Sequence, residues 1–184
     1  IPLIAIAALA FCGIAQAHPG HGGGFAAGLG HPLSGVDHLL AMIAVGIWAF
    51  QLGGRAKWLV PACFVAIMAG AAGLGMTGAG LPMIESGIAA SLLVLGLLIA
   101  FAVSVRPAVA GAIVAVFAVF HGYAHGAEMP SMVSPWLYGA GFIAATAALH
   151  GVGLLLGRSV AGKALILRAA GIAVATAGAW MIAG

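Results

Sequence analysis

The chain has 184 residues, of which 64% are hydrophobic and 5% charged, with a mean hydropathy of +1.24. A soluble domain carries about 25% charged residues, so a surface facing water all round is excluded and a surface facing lipid is indicated. The formal net charge is +3, but the six Lys and Arg are scattered among loops with no cluster or stripe, which excludes a nucleic-acid surface.

A helix that crosses a bilayer needs about 20 mainly apolar residues. Seven such runs occur, near 1–17, 32–52, 58–77, 83–104, 108–127, 135–157 and 164–183. The first ends in Ala15-Gln16-Ala17, which fits a signal-peptidase site. Residues 1–17 therefore read as a cleaved leader with a new terminus at His18, or as a retained seventh helix. No linker of domain length follows, so 18–184 reads as one transmembrane transport domain. The expected fold is all-α: a polytopic bundle of six core helices plus the N-terminal signal-like segment. The 30 glycines suit it, because small residues let helices approach closely in lipid. Cys12 and Cys63 lie within apolar runs and read as packing residues, without a disulfide framework or a cysteine zinc motif.

Arg55, Lys57, Arg106, Arg158, Lys163 and Arg168 all fall at one set of alternate loops or helix ends. The opposite loops, 18–30, 78–82 and 128–134, hold no Lys or Arg. The positive-inside rule assigns the basic side to the cytoplasm and the other side to the periplasm.

The three acids are Asp37, Glu85 and Glu128, each near the outer end of a run. Ionisable groups within spans are costly, which makes each a functional candidate. The histidines follow the same pattern. His31 and His38 flank the outer start of the 32–52 run, and His121 and His125 lie in the outer part of the 108–127 run. His38 and His121 each lie roughly 10 Å below the outer helix ends. His121 and His125 are spaced i, i+4 and share a helix face, which Glu128 continues. Neutral imidazole suits nickel, zinc, copper and iron, and carboxylate supplies a hard ligand with compensating charge. A divalent cation with mixed nitrogen and oxygen ligands is the simplest object that uses this set.

His31-Pro32 is expected to open the second run, with Pro32 at the first helical position, and Gly35 leaves room for a close neighbour. Met42 lies on the His38 face and reads as packing or as a soft thioether ligand. Glu85 reads equally as a helix cap and as a ligand. His18 and His21, in the Gly-rich stretch 18–24, read as an outer metal trap or as plain leader residues. His150, in the inner half of the sixth run, reads as a satisfied core residue or as an inner relay. Ser91 and Thr146 are expected to bond to their own helix backbones.

His31 to Met42 reads HPxxGxDHxxAM, and Phe120 to Glu128 reads FHGxAHGxE. Both resemble the two hallmark motifs of the HupE/UreJ family, and the hydropathy and leader extend the resemblance along the whole chain. The resemblance implies a small bacterial inner-membrane permease for Ni2+, with Co2+ for some members, supplying hydrogenase or urease maturation proteins. It carries functional roles onto His31, Asp37 and His38, and onto His121, His125 and Glu128. The larger nickel/cobalt transporter family has a His-Asp-His motif with four residues between the first His and the Asp; here there are five.

The expected partners are thus a divalent metal ion as transported substrate and the lipid bilayer, with no organic cofactor. No P-loop pattern is present, so ATP is not the direct energy source in this chain. The rival readings are an intramembrane metalloenzyme of the HxxxH type, a haem-binding electron carrier using His121 or His125 with His150, and a metal sensor or chaperone. The reading as a permease makes the chain no enzyme.

Overall fold

The structure, a computed structural model, describes residues 23–184. The leader segment 1–17, Cys12, His18 and His21 lie outside the described residues. Seven helices are described: α1 Gly23–Ser34, α2 Val36–Leu52, α3 Ala56–Met76, α4 Ile84–Ala100, α5 Pro107–Ala127, α6 Pro135–Ser159 and α7 Ala164–Ala183. No strand occurs among the described residues. Helices α3, α5, α6 and α7 are each long and apolar enough to cross a membrane, and α4 is a shorter apolar helix of 17 residues. Helices α1 and α2 pass that test together but are bent by 84° where they meet.

This bend corrects two expectations. The stretch expected as a loop over 18–30 is helical from Gly23 onward, and Pro32 lies inside the end of α1 rather than at the start of α2. Glycine costs helix stability on its own, but here tertiary packing outweighs propensity. A methyl group on Gly28 would collide with the Tyr138 carbonyl, and one on Gly141 would collide with the Phe25 carbonyl. Backbones of α1 and α6 touch because neither residue carries a side chain. The chain then breaks at Gly35, which is extended (φ −99°, ψ 121°) and precedes α2. Pro32 prepares the break, since it lacks the N–H that would bond one turn back.

One further end differs from the expected spans. Helix α4 stops at Ala100 rather than continuing to 104. Beyond it Ala102 adopts a left-handed turn (φ 49°), and the Trp48 indole N–H donates to the Val103 carbonyl at 3.0 Å. Gln51 donates to the Ile99 carbonyl at 3.1 Å, so α2 ends tied to the end of α4.

Three further seams hold the bundle. In α5, Gly122 and Gly126 follow the two histidines and face α3, where a methyl on either would collide with the Met68 or Ala72 carbonyl. Gly46 of α2 and Gly153 of α6 meet each other's helix backbones, as do Gly96 of α4 and Gly171 of α7. Without a hydrophobic drive between helices in lipid, close backbone approach and dispersion supply the attraction. Between the seams lies a core that includes Trp48, Phe64, Met68, Leu92, Leu95, Tyr138 and Phe142. Met42 is fully buried in it. Cys63 is a free thiol facing Gly111 across the α3–α5 seam, in keeping with packing. Large apolar side chains such as Trp58, Leu155 and Leu165 point outward, as a lipid-facing surface requires.

Helices α2 to α7 alternate in direction. Asp37, Glu85 and Glu128 therefore gather at one end, while the six Lys and Arg stand at or near the other.

Candidate functional site

The acidic end holds an open cavity of about 180 Å³ lined by His31, Ser34, Gly35, Asp37, His38, Glu85, His125 and Glu128. Its donors come from four elements: the end of α1, the start of α2, the first turn of α4 and the last turns of α5. The 84° bend accounts for two of these. It sets α1 at nearly a right angle to α2, and His31, on the last turn of α1, lines the same cavity as Asp37 and His38.

The imidazoles converge. Ring centroids of His38 and His125 are 4.6 Å apart, those of His38 and His121 4.8 Å, and those of His31 and His125 4.8 Å. The backbones of α2 and α5 hardly approach each other, so these rings bridge the gap between two helices that are not close-packed. His125 also lies against the Phe142 ring, nearly parallel at 20° with centroids 5.4 Å apart. The Tyr138 hydroxyl donates to the His125 carbonyl at 3.2 Å.

The local sequence explains the geometry of α5. The i, i+4 spacing puts His121 and His125 on one face, and the glycine after each lies about 100° further round, against α3. One motif thus aims two imidazoles at the cavity and docks the helix that carries them.

Each of three imidazoles has one nitrogen held by oxygen. His38 Nδ1 lies 3.1 Å from Asp37 Oδ1, an atom that also accepts the His38 backbone N–H at 2.8 Å. His31 Nε2 lies 3.0 Å from Glu128 Oε2. An ionised carboxylate only accepts, so in both pairs the ring nitrogen donates. His121 Nε2 lies 3.0 Å from Ser91 Oγ, whose single proton goes to the Ile88 carbonyl at 2.6 Å. Ser91 therefore accepts from His121 Nε2–H. Such outer partners fix the tautomer and leave the other nitrogen with its lone pair. For His38 and His121 that other nitrogen, Nε2 and Nδ1 respectively, is buried without a hydrogen-bond partner, and both nitrogens of His125 are in the same state.

As they stand, no three or more of the described His, Cys, Asp and Glu side chains are arranged to hold a metal ion. Asp37 and Glu128 are instead engaged by His38 and His31. The structure thus brings His31, Asp37, His38, His121, His125 and Glu128 into one neighbourhood without closing them into a cage. Glu85 belongs to the cavity wall, and α4 has no side-chain cap. His150 stands apart, below the cavity. Thr146 donates to Met68 Sδ at 3.7 Å rather than to its own helix.

Sequence reasoning assigned Ser91 only a bond to its own helix. That bond exists, but the same hydroxyl also reaches His121. Its one available signal was position: a hydroxyl midway along a span whose other polar residues, Glu85 and Ser86, sit in the first turn. Tyr138, over His125 and 5.8 Å from the His31 ring, gave no signal beyond being one of two tyrosines.

An all-helical bundle with apolar outer faces, segregated charge and an imidazole–carboxylate cavity at its acidic end defines a multi-pass membrane protein. The chain belongs to the HupE/UreJ family, described as HupE / UreJ protein, which it matches over residues 6–181. It is 50% identical over 182 residues to Protein HupE of Rhizobium leguminosarum bv. viciae, covering 97% of this chain and 95% of that relative. No solved structure matches the chain.

Proposed function

We propose that the chain is a permease that carries a divalent transition-metal ion, Ni2+ first and Co2+ second, inward across the bacterial inner membrane. The observation that carries this reading is the convergence of four imidazoles from three helices beside a cavity lined by all three acids of the chain. Buried polar groups are costly unless satisfied, and a bundle this apolar has no packing reason to collect so many in one place. Imidazole with carboxylate suits nickel and cobalt. Membership of the HupE/UreJ family supports nickel over other metals and supply to hydrogenase or urease maturation proteins.

The acidic end faces the periplasm in this reading, because the Lys and Arg at the other end follow the positive-inside rule. A hydrated ion is drawn to Glu85, Asp37 and Glu128, which have no Lys or Arg near them. It then displaces the pairing of His31 with Glu128, and the freed carboxylate and the unpartnered ring nitrogens take the place of water, while Asp37 keeps its bond to His38 Nδ1 and so holds His38 Nε2 toward the ion. A site that begins in internal pairs binds more weakly than a preformed cage, which suits an ion that must also leave.

Uptake of radioactive nickel into proteoliposomes tests this, comparing wild type with Asp37→Ala and His121→Ala. Uptake by wild type that is lost in both variants supports the permease. Metal bound but not moved by wild type would instead favour a sensor or chaperone, and uptake unaffected by both changes would reject the site.

A further inference from the structure

Below the histidine cluster, His150 of α6 is 1% exposed, and neither ring nitrogen has a hydrogen-bond partner. Every other described imidazole has a neighbouring imidazole ring; His150 has Phe64. The Phe64 ring of α3 is fully buried, with its centroid 5.7 Å from that of His121 above and 5.3 Å from that of His150 below. It meets the His150 ring edge to face at 89°. A continuous line of ring contacts therefore runs from the open cavity through His38, His121 and Phe64 to His150. Its three steps, of 4.8 Å, 5.7 Å and 5.3 Å between ring centroids, lead from the cavity wall at His38 down to α6.

We propose that His150 is a second, inner cation station, and that the Phe64 ring is the gate separating it from the outer cluster. This rests on the reading of the chain as a metal carrier. An imidazole buried with both nitrogens unpaired is costly to keep, and an apolar residue would pack there without that cost. Neutral imidazole takes a borderline divalent ion through one lone pair. With a single protein nitrogen, the ion keeps most of its water and leaves readily. Phe64 closes the way as an apolar constriction that excludes water, and rotation of its ring opens it. Met68, one turn above Phe64 on α3, and Thr146, one turn above His150 on α6, are bonded to each other beside the same gap.

The test uses the purified full chain. Equilibrium binding of radioactive nickel is measured in detergent and initial uptake in proteoliposomes, for wild type, His150→Gln, His150→Ala and Phe64→Trp. The inner station predicts nickel affinity within about threefold of wild type and uptake reduced about tenfold or more in the His150 variants, a split between binding and passage. Phe64→Trp, which enlarges the gate and retains His150, slows uptake at unchanged affinity. In a metal-free arm, diethyl pyrocarbonate modifies His150 in Phe64→Ala and spares it in wild type, read by peptide mass. Wild-type uptake rates in both His150 variants, or affinity and uptake falling in parallel, would overturn the proposal. So would an unmodified His150 in Phe64→Ala, an arm that decides the matter even if the His150 variants fail to fold. A wild type that neither binds nor moves nickel overturns the carrier reading itself, and this inference with it.

Discussion

Ser91 of α4 holds His121 of α5 by a single hydrogen bond of 3.0 Å, and the direction of that bond is fixed because the serine proton is committed to the Ile88 carbonyl at 2.6 Å. The bond leaves His121 Nδ1 as the nitrogen with a free lone pair. Ser91→Ala removes the acceptor and frees the ring to take either tautomer. Nickel affinity is expected to fall about 10- to 100-fold, the usual effect of losing an outer partner of a metal-binding imidazole, while stability changes by about 1 kcal/mol. Titration calorimetry with nickel, beside thermal unfolding of the same samples, checks both. Ser91→Thr, which keeps the hydroxyl, is expected to bind more tightly than Ser91→Ala. Equal affinity in Ser91→Ala and wild type would remove Ser91 from the site.

Gly35 does more than break the helix. A methyl group there would stand 2.6 Å from Asp37 Oδ1 and 3.3 Å from His38 Nδ1. Its extended φ is open to any residue, so Gly35→Ala is a test of space alone. The carboxylate must move to admit the methyl and thereby loses its bond to His38. The expected result is a tenfold or greater loss of nickel affinity, in line with the loss of an outer partner, in a chain that still folds. A nickel titration of Gly35→Ala at wild-type affinity would show that the Asp37–His38 pair has no part in binding.

Binding must depend on pH with a definite sign. Only neutral imidazole ligates, and free histidine takes up a proton at a pKa of about 6.5. Protons therefore compete with metal, and affinity falls as pH falls. Nickel titrations at pH 8, 7, 6 and 5 should show progressive weakening. A flat profile would point to oxygen ligands alone.

The glycines of the second motif give a prediction about stability. A methyl on Gly126 would collide with the Ala72 carbonyl, and main chain cannot swing aside as a side chain can. Gly126→Ala is expected to destabilise the bundle by about 1–3 kcal/mol, the usual cost of overpacking, and to weaken metal binding by shifting the neighbouring His125. Gly30→Ala is the control, since nothing lies within 4 Å of a methyl there. Thermal unfolding in one detergent compares the two.

Much of this was legible in the sequence. Hydropathy gave the helices, because in lipid an apolar run has few structural options other than a helix. Charge placement put Asp37, Glu85 and Glu128 at one end, and the i, i+4 spacing put His121 and His125 on one face. The direction of α1 was not legible. GGFAAGLG reads locally as a loop, and only contact between Gly28 and the α6 backbone makes it a helix. Nor was the pairing of donors. Asp37 with His38 and His31 with Glu128 depend on side-chain rotation and on a 97-residue separation that no local pattern encodes. The bond of Ser91 to its own helix was legible, but its second partner, His121, was not, because it is on another helix.

The glycine seams divide the helices into three stiff blocks, α3 with α5, α4 with α7, and α1 and α2 with α6. The polar residues of the site are shared among all three. His121 and His125 ride on the first block, Glu85 and Ser91 on the second, His31 and His38 on the third. A small tilt of any block against the others therefore stretches the histidine–carboxylate constellation at once, with no helix needing to unwind. In the permease proposed here, grip on the ion and the motion that releases it are therefore mechanically one variable.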